Sequence, residues 1–180
     1  MTTDRLFYKE TVFDANRELM AGYLVSECGT PAGMAREMIG NAWEVWISRL
    51  CADNPALTGE RAGRILNEAL GFLCLAGRAE DSHGPSREVD LGWHVMLSDT
   101  RLYAAVCDAV AGRFIHHDAL DLLGSGTAGG DAKCQTCGSE CNGGKAGRER
   151  KTLAGTVAAM ADIGPVDHEL WPGSKTLEPA

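Results

Sequence analysis

The chain has 180 residues, of which 23% are charged, and a formal net charge of -8. This length is enough for one ordinary domain with a buried core, and the acidic balance argues against nucleic-acid partners, because phosphate binding needs clustered lysine and arginine. No apolar run is long enough to span a membrane, and the polar start Met1–Leu6 lacks the apolar region of a signal peptide. We therefore expect a cytoplasmic protein.

Apolar residues recur at helical spacing from about residue 12 to residue 123, and no alternating strand pattern occurs. Five helices with short breaks are expected in this part of the chain. The apolar faces include Leu19 in the first helix and Met34 in the second, and they place Cys28, Cys51 and Cys74 as small buried side chains. The predicted breaks fall at Gly29–Pro31, Asp53–Pro55, Gly77–Pro85, Ser98–Asp99 and Gly112.

The composition changes at residue 124. Glycine, serine, threonine and alanine dominate 124–147, and such a segment buries too little surface to offset its ordering entropy. A sixth helix is predicted over Arg148–Ile163, followed by a tail that Leu170 and Trp171 dock on the bundle. The expected fold is thus an all-α single helical bundle of five to six helices: a core over 1–123, a flexible Gly/Cys-rich insertion over 124–147, and a helix and tail over 148–180.

The clearest chemical pattern lies on the fourth predicted helix and just after the fifth. Asp90 and His94 are four residues apart, so they emerge from one helix face, and this spacing lets two side chains reach one metal ion. Cys107 and His117 follow as a thiol and an imidazole. The sequence therefore predicts a metal site that uses some of Asp90, His94, Cys107 and His117.

Which metal the site suits depends on whether Cys107 is a ligand. With the thiolate, two imidazoles and a carboxylate suit tetrahedral zinc, whereas without it the two-histidine, one-carboxylate set suits Fe²⁺ with open positions. Cys107 is alternatively a pocket thiol or a plain core cysteine. Tyr103, one turn before Cys107, is either a phenol donor to a bound ligand or a core tyrosine bonded to the backbone.

These residues also carry a family resemblance. Val89-Asp90-x-x-Trp93-His94, followed by Tyr103, Cys107, Gly112 and His117, resembles the core of the glycine-rich domain-containing (GRDP-like) proteins, with Met96 and Asp118 departing from the pattern of many relatives. The resemblance implies an all-helical fold with a functional pocket, and it favours His117 over His116 as the inward histidine. It implies no particular reaction.

A second cysteine cluster lies in the Gly-rich segment. Cys134-x-x-Cys137 has the spacing of a zinc half-site, and Cys141 follows, but a fourth ligand is missing. The alternatives are a metal site completed from elsewhere, a local disulfide, or three free reactive thiols.

Two functional hypotheses follow. The first is a small cytoplasmic metal-binding protein, an accessory metalloenzyme that acts on a small molecule or peptide, with Tyr103 and Cys107 as candidate catalytic groups. The second is a non-enzymatic helical binding module with a structural zinc site and a protein partner. A catalytic site keeps an open coordination position and a structural site is closed, so coordination number separates the two.

Overall fold

The computed structural model describes residue 13, residues 15–117 and residues 151–172. Over these residues the protein is an all-α bundle without β-strands, as the sequence predicts. The six helices are α1 (Arg17–Ser26), α2 (Ala32–Asp53), α3 (Gly59–Arg78), α4 (Arg87–Leu97), α5 (Thr100–Ala111) and α6 (Leu153–Ile163). The predicted insertion 124–147 lies outside the described residues.

Helix α3 is the centre of the bundle. It packs against α2, α4, α5 and α6, while α1 covers α2 and α5. The central position follows from its sequence, because a nearly continuous apolar run leaves little of its surface to face water. Its buried side chains include Ile65, Leu66, Ala69, Leu70, Phe72 and Leu73.

Side-chain caps mark the start of three of the described helices, α3, α4 and α6. The hydroxyl of Ser86 accepts a hydrogen bond from the Val89 amide at the start of α4, and Thr58 and Thr152 do the same for α3 and α6. Gly112 ends α5 in the left-handed conformation, with φ of 64°, as predicted for a helix-terminating glycine. This glycine redirects the chain toward the residues that precede His117.

The C-terminal segment docks on the bundle through Leu170 and Trp171, and both are fully buried, which confirms the prediction for the tail. The Ser86 hydroxyl donates to the Leu170 carbonyl, so the segment is also tied to the first turn of α4. The C-terminal segment thereby fixes the start of the helix that carries Asp90.

The structure departs from the predicted details at several places. Helix α6 begins at Leu153 rather than Arg148, because Lys151 and Thr152 are not helical and Thr152 supplies the cap. Met34 and Leu19 are exposed despite their apolar spacing, and Cys28 and Cys51 are half-buried, whereas Cys74 is buried as expected. In the described part of the chain, no helix combines the length and apolar character needed to cross a membrane.

Candidate metal site

Asp90 and His94 form the helical half of the site. They lie one turn apart on α4, and the Nδ1 atom of His94 is 3.4 Å from Oδ2 of Asp90. Asp90 stands in the first turn and His94 in the last, positions at which a carboxylate and an imidazole suit the helix dipole. The predicted shared face is therefore present.

His117 completes the group from the segment after α5. Its Nε2 atom is 2.9 Å from Oδ1 of Asp90, so the carboxylate contacts one imidazole with each oxygen. The His117 ring packs edge-on against Trp93, with ring centroids 4.4 Å apart, and lies 4.5 Å from the ring of His94. The sequence motif is thus assembled into one cluster.

The three residues each offer one ligand atom, and these atoms all lie within 4.8 Å of one another. Ligands on one tetrahedral zinc ion lie about 2.0–2.2 Å from it and therefore about 3.4 Å from one another, so the side chains move closer together when they hold an ion. The side chains are exposed to different degrees, 15% for His117, 31% for Asp90 and 54% for His94. The cluster can hold a metal ion, and its open side is the side of His94.

A buried hydrogen-bond chain supports the His117 segment. The Tyr103 hydroxyl donates to the Ile115 carbonyl at 2.6 Å and accepts from Nε1 of Trp93 at 2.8 Å. Tyr103 is completely buried, and this burial raises its pKa well above the usual range of a phenol. The arrangement is that of a core tyrosine bonded to the backbone, and it anchors the chain two residues before His117.

Cys107 does not belong to the cluster. Its thiol is buried beside the Tyr103 hydroxyl and the Ile115 backbone, and burial raises its pKa, which disfavours the thiolate that ligation requires. The structure therefore brings together the two histidines and one carboxylate, His94, His117 and Asp90, and leaves the Cys107 thiol outside the cluster. His116 also stands apart from the cluster, with its ring against Phe114.

The position of α4 is set by a close approach at Gly92. A Cβ atom at this residue would lie 2.9 Å from the Cβ of Ala69 and 3.0 Å from the Ile65 carbonyl oxygen. Only glycine lets α4 approach α3 this closely without displacement. Gly92 lies between Asp90 and His94 in the sequence, so this contact fixes the position along α3 of the part of α4 that carries both side chains.

The sequence also predicts a second cysteine cluster, in the Gly-rich segment. Cys134, Cys137 and Cys141 lie outside the described residues.

A polar cluster that the sequence motifs do not indicate lies at the C-terminal segment. Glu68 on α3 is buried, and its carboxylate accepts from the Asp167 amide at 2.9 Å and from Nε1 of Trp171 at 2.8 Å. Burial raises the pKa of Glu68, and the two N–H donors oppose that rise. A glutamate amid the apolar run of α3 was the signal available in the sequence.

Arginines close this cluster on its outer side. Arg64 binds Asp167 through two nitrogens, at 2.5 and 2.8 Å, and Arg61 binds Glu88 at 2.8 Å. The Arg64 guanidinium lowers the pKa of Asp167. The Arg64–Asp167 pair attaches the C-terminal segment to α3, and the Arg61–Glu88 pair attaches α4 to α3.

No family model, no curated protein and no solved structure matches the chain.

Proposed function

We propose that the protein binds a divalent transition-metal ion through Asp90, His94 and His117. The observation that carries the proposal is the convergence of three ligand atoms from two separate chain segments within 4.8 Å. A surface hydrogen-bonded pair would account for Asp90 and His94 alone. The third side chain, held by Trp93 and by the anchored Ile115, is the feature that a metal site requires.

The ligand set favours a site with open coordination positions. Two imidazoles and one carboxylate are the set of non-haem Fe²⁺ enzymes and of several catalytic zinc sites, whereas closed structural zinc sites have four protein ligands. Cys107, the candidate fourth ligand, is buried away from the cluster. We therefore propose iron or zinc with bound water, and a role in chemistry on a small molecule or peptide in preference to a structural zinc site.

The resemblance to the GRDP-like proteins is part of the same proposal. It rests on Val89, Trp93 and the site residues Asp90, His94 and His117, and it is independent of the geometry. We also propose a cytoplasmic location for this metal-binding role.

Metal analysis of purified protein tests the site directly. Zinc, iron and manganese contents and calorimetric Zn²⁺ affinity are measured for the natural protein and for His94→Ala and His117→Ala, with His116→Ala as the matched control on a neighbouring imidazole. We expect one bound ion per chain, and an affinity at least about 100-fold lower in the two site variants, since even the loss of an outer-shell partner costs up to that much. His116→Ala should bind as the natural protein does.

The Gly-rich cysteines are a separate potential source of bound metal. The same measurements are therefore repeated with Cys134, Cys137 and Cys141 all changed to serine. Retention of the one ion in this protein, and its loss on adding His117→Ala, supports the proposed site. Equal metal content with and without His117→Ala would refute it.

Coordination number separates the open site from the closed one. Cobalt replaces zinc in such sites, and its visible spectrum differs between four-coordinate and five- or six-coordinate ions. We expect the spectrum of the cobalt protein to indicate five or six ligands and to change when azide is added, because azide displaces water from an open position. A tetrahedral spectrum that azide leaves unchanged would favour the structural alternative.

A further inference from the structure

A groove adjoins the candidate metal site. It has a volume of about 560 Å³, which falls within the range of small-molecule sites, roughly 300–1,000 Å³. His94 belongs to both the groove and the metal cluster, so the groove adjoins the open side of the cluster. The walls come from the end of α2 and from α4, and they include Arg49, Asp53, Asn54, Leu91 and Ser98.

Arg49 is the positioned cation of this groove. Its Nη1 atom donates to Ser98 Oγ at 3.2 Å and to Oδ2 of Asp99, and Asp99 is itself held by Nε1 of Trp46 at 3.0 Å. The hydrogen bonds of Arg49 described in the structure all use Nη1. A guanidinium has five N–H donors in a planar fork, so one edge is fixed and the Nη2 and Nε donors remain available to a ligand.

Planar recognition by such a fork suits a carboxylate or a phosphate. Asp53 lines the same groove and repels additional negative charge, which disfavours polyphosphates and other highly charged anions. Leu91 and Val95 supply an apolar wall between the polar groups. The groove therefore fits a short molecule with one anionic group at Arg49 and a second donor that faces the metal.

We infer that the groove binds a small carboxylate, which spans from Arg49 to the open side of the metal site. This inference rests on the proposed metal-binding function for the metal end of the ligand, and on Arg49 for the anionic end. It names the substrate class of the site as small organic acids.

The test uses defined probes on the full chain. Binding of succinate, glutarate and benzoate is measured by calorimetry and by amide NMR shifts, each beside its uncharged amide, to protein with and without Zn²⁺. We expect the acids to bind at least tenfold more tightly than the amides, with shifts at Arg49, Leu91 and His94. Zinc should tighten the binding further. Equal binding of acids and amides would overturn the inference.

Substitutions of the cationic and the anionic residue of the groove, Arg49 and Asp53, test the inference further. Arg49→Gln and Arg49→Lys should each weaken succinate at least tenfold, because neither retains the fork, whereas Arg36→Gln, on an exposed arginine paired with Glu18, should leave it unchanged. Asp53→Asn should tighten succinate about threefold, since a like charge leaves the groove. An increase in affinity cannot arise from misfolding.

The outcomes separate this inference from the metal proposal. Zinc binding with equal succinate affinity in the natural protein and Arg49→Gln overturns the inference and leaves the metal site intact. Arg49-dependent succinate binding in a protein that binds no zinc supports the anionic end of the groove and refutes the metal site. Absence of the Asp53→Asn gain, with succinate otherwise bound, would place the acid elsewhere and overturn the inference.

Discussion

Glu68 on α3 and Asp90 on α4 are carboxylates on adjoining helices, and their surroundings differ in a way that separates a structural role from a chemical one. Glu68 is 3% exposed and is met by two fixed N–H donors, from Asp167 and Trp171. Asp90 is partly open to solvent and is met by two imidazoles. Backbone and indole N–H groups only donate, whereas an imidazole nitrogen exchanges its hydrogen bond for a metal ion. The partners of a carboxylate, more than its burial, indicate what it does.

The sharpest way to break this comparison is to remove the Glu68 carboxylate. Glu68→Ala leaves the buried indole N–H of Trp171 and the partly buried amide of Asp167 without an acceptor. We expect it to lower the free energy of unfolding by about 3 kcal/mol, measured by urea denaturation. Zn²⁺ affinity of the folded protein should change less than twofold. Glu44→Ala, at an exposed position on α2, is the control, and an equally small effect at Glu68 would show that the C-terminal segment contributes little.

The reciprocal change is Asp90→Asn, which keeps the shape of the side chain and removes its charge. We expect Zn²⁺ affinity to fall at least about 100-fold, because a direct ligand is weakened rather than an outer-shell group. The free energy of unfolding of the metal-free protein should shift by less than about 1 kcal/mol, since the side chain is partly solvated. Calorimetry and urea denaturation on one preparation give both numbers. A large loss of stability with unchanged Zn²⁺ affinity would show that Asp90 has a structural role, like that of Glu68, and does not bind the metal.

Tyr103→Phe tests the connection between the core and the metal site. It removes an acceptor from the Trp93 indole and a donor from the Ile115 carbonyl, and we expect a loss of about 1–2 kcal/mol in the free energy of unfolding. Zn²⁺ affinity should fall by up to about tenfold, because the segment that carries His117 loses its anchor. Tyr23→Phe, on α1 and away from the cluster, is the matched control. Unchanged affinity in Tyr103→Phe would mean that Trp93 alone positions His117.

The pH dependence of stability gives the smallest effect. Burial raises the pKa of Glu68 above its ordinary value of 4.5, so the folded protein holds this proton more readily than the unfolded chain. The stabilisation from protonated Glu68 is complete below pH 4.5 and is lost as the pH rises through the raised value. The free energy of unfolding of the natural protein should therefore fall relative to that of Glu68→Gln as the pH rises, by at most about 1.4 kcal/mol per pH unit.

Asp167 contributes with the opposite sign. Arg64 lowers the pKa of Asp167, so its stabilisation is present at neutral pH and is lost as the pH falls below about 3.8. Both proteins retain this contribution, and the difference between them cancels it. A difference that stays constant between pH 4 and 7 would show that Glu68 ionises as it does in the unfolded chain.

The sequence was sufficient for the all-α class and for the juxtaposition of Asp90 and His94, because both follow from helical periodicity within one segment. The residue pattern also offered His117, but the choice of His117 over His116 came from the resemblance, since the direction of the chain after Gly112 depends on three-dimensional packing. The exclusion of Cys107 depends on the direction in which the buried face of α5, which carries both Tyr103 and Cys107, points in the bundle, and spacing alone does not specify that. Glu68 is bonded to residues about one hundred positions away, and no local pattern reports such a pairing.

The two hydrogen bonds of the Ser86 hydroxyl form at different stages of protein synthesis. It caps α4 locally through Val89, but its acceptor, the Leu170 carbonyl, lies 84 residues later in the chain. During synthesis from the N-terminus, α4 is complete long before that carbonyl leaves the ribosome. The nascent chain therefore carries Asp90 and His94 on a helix whose first turn is capped but not yet tethered. If the proposed metal site is loaded during synthesis, the ion meets an α4 that is not yet tethered, and the segment that carries Leu170 tethers it afterwards.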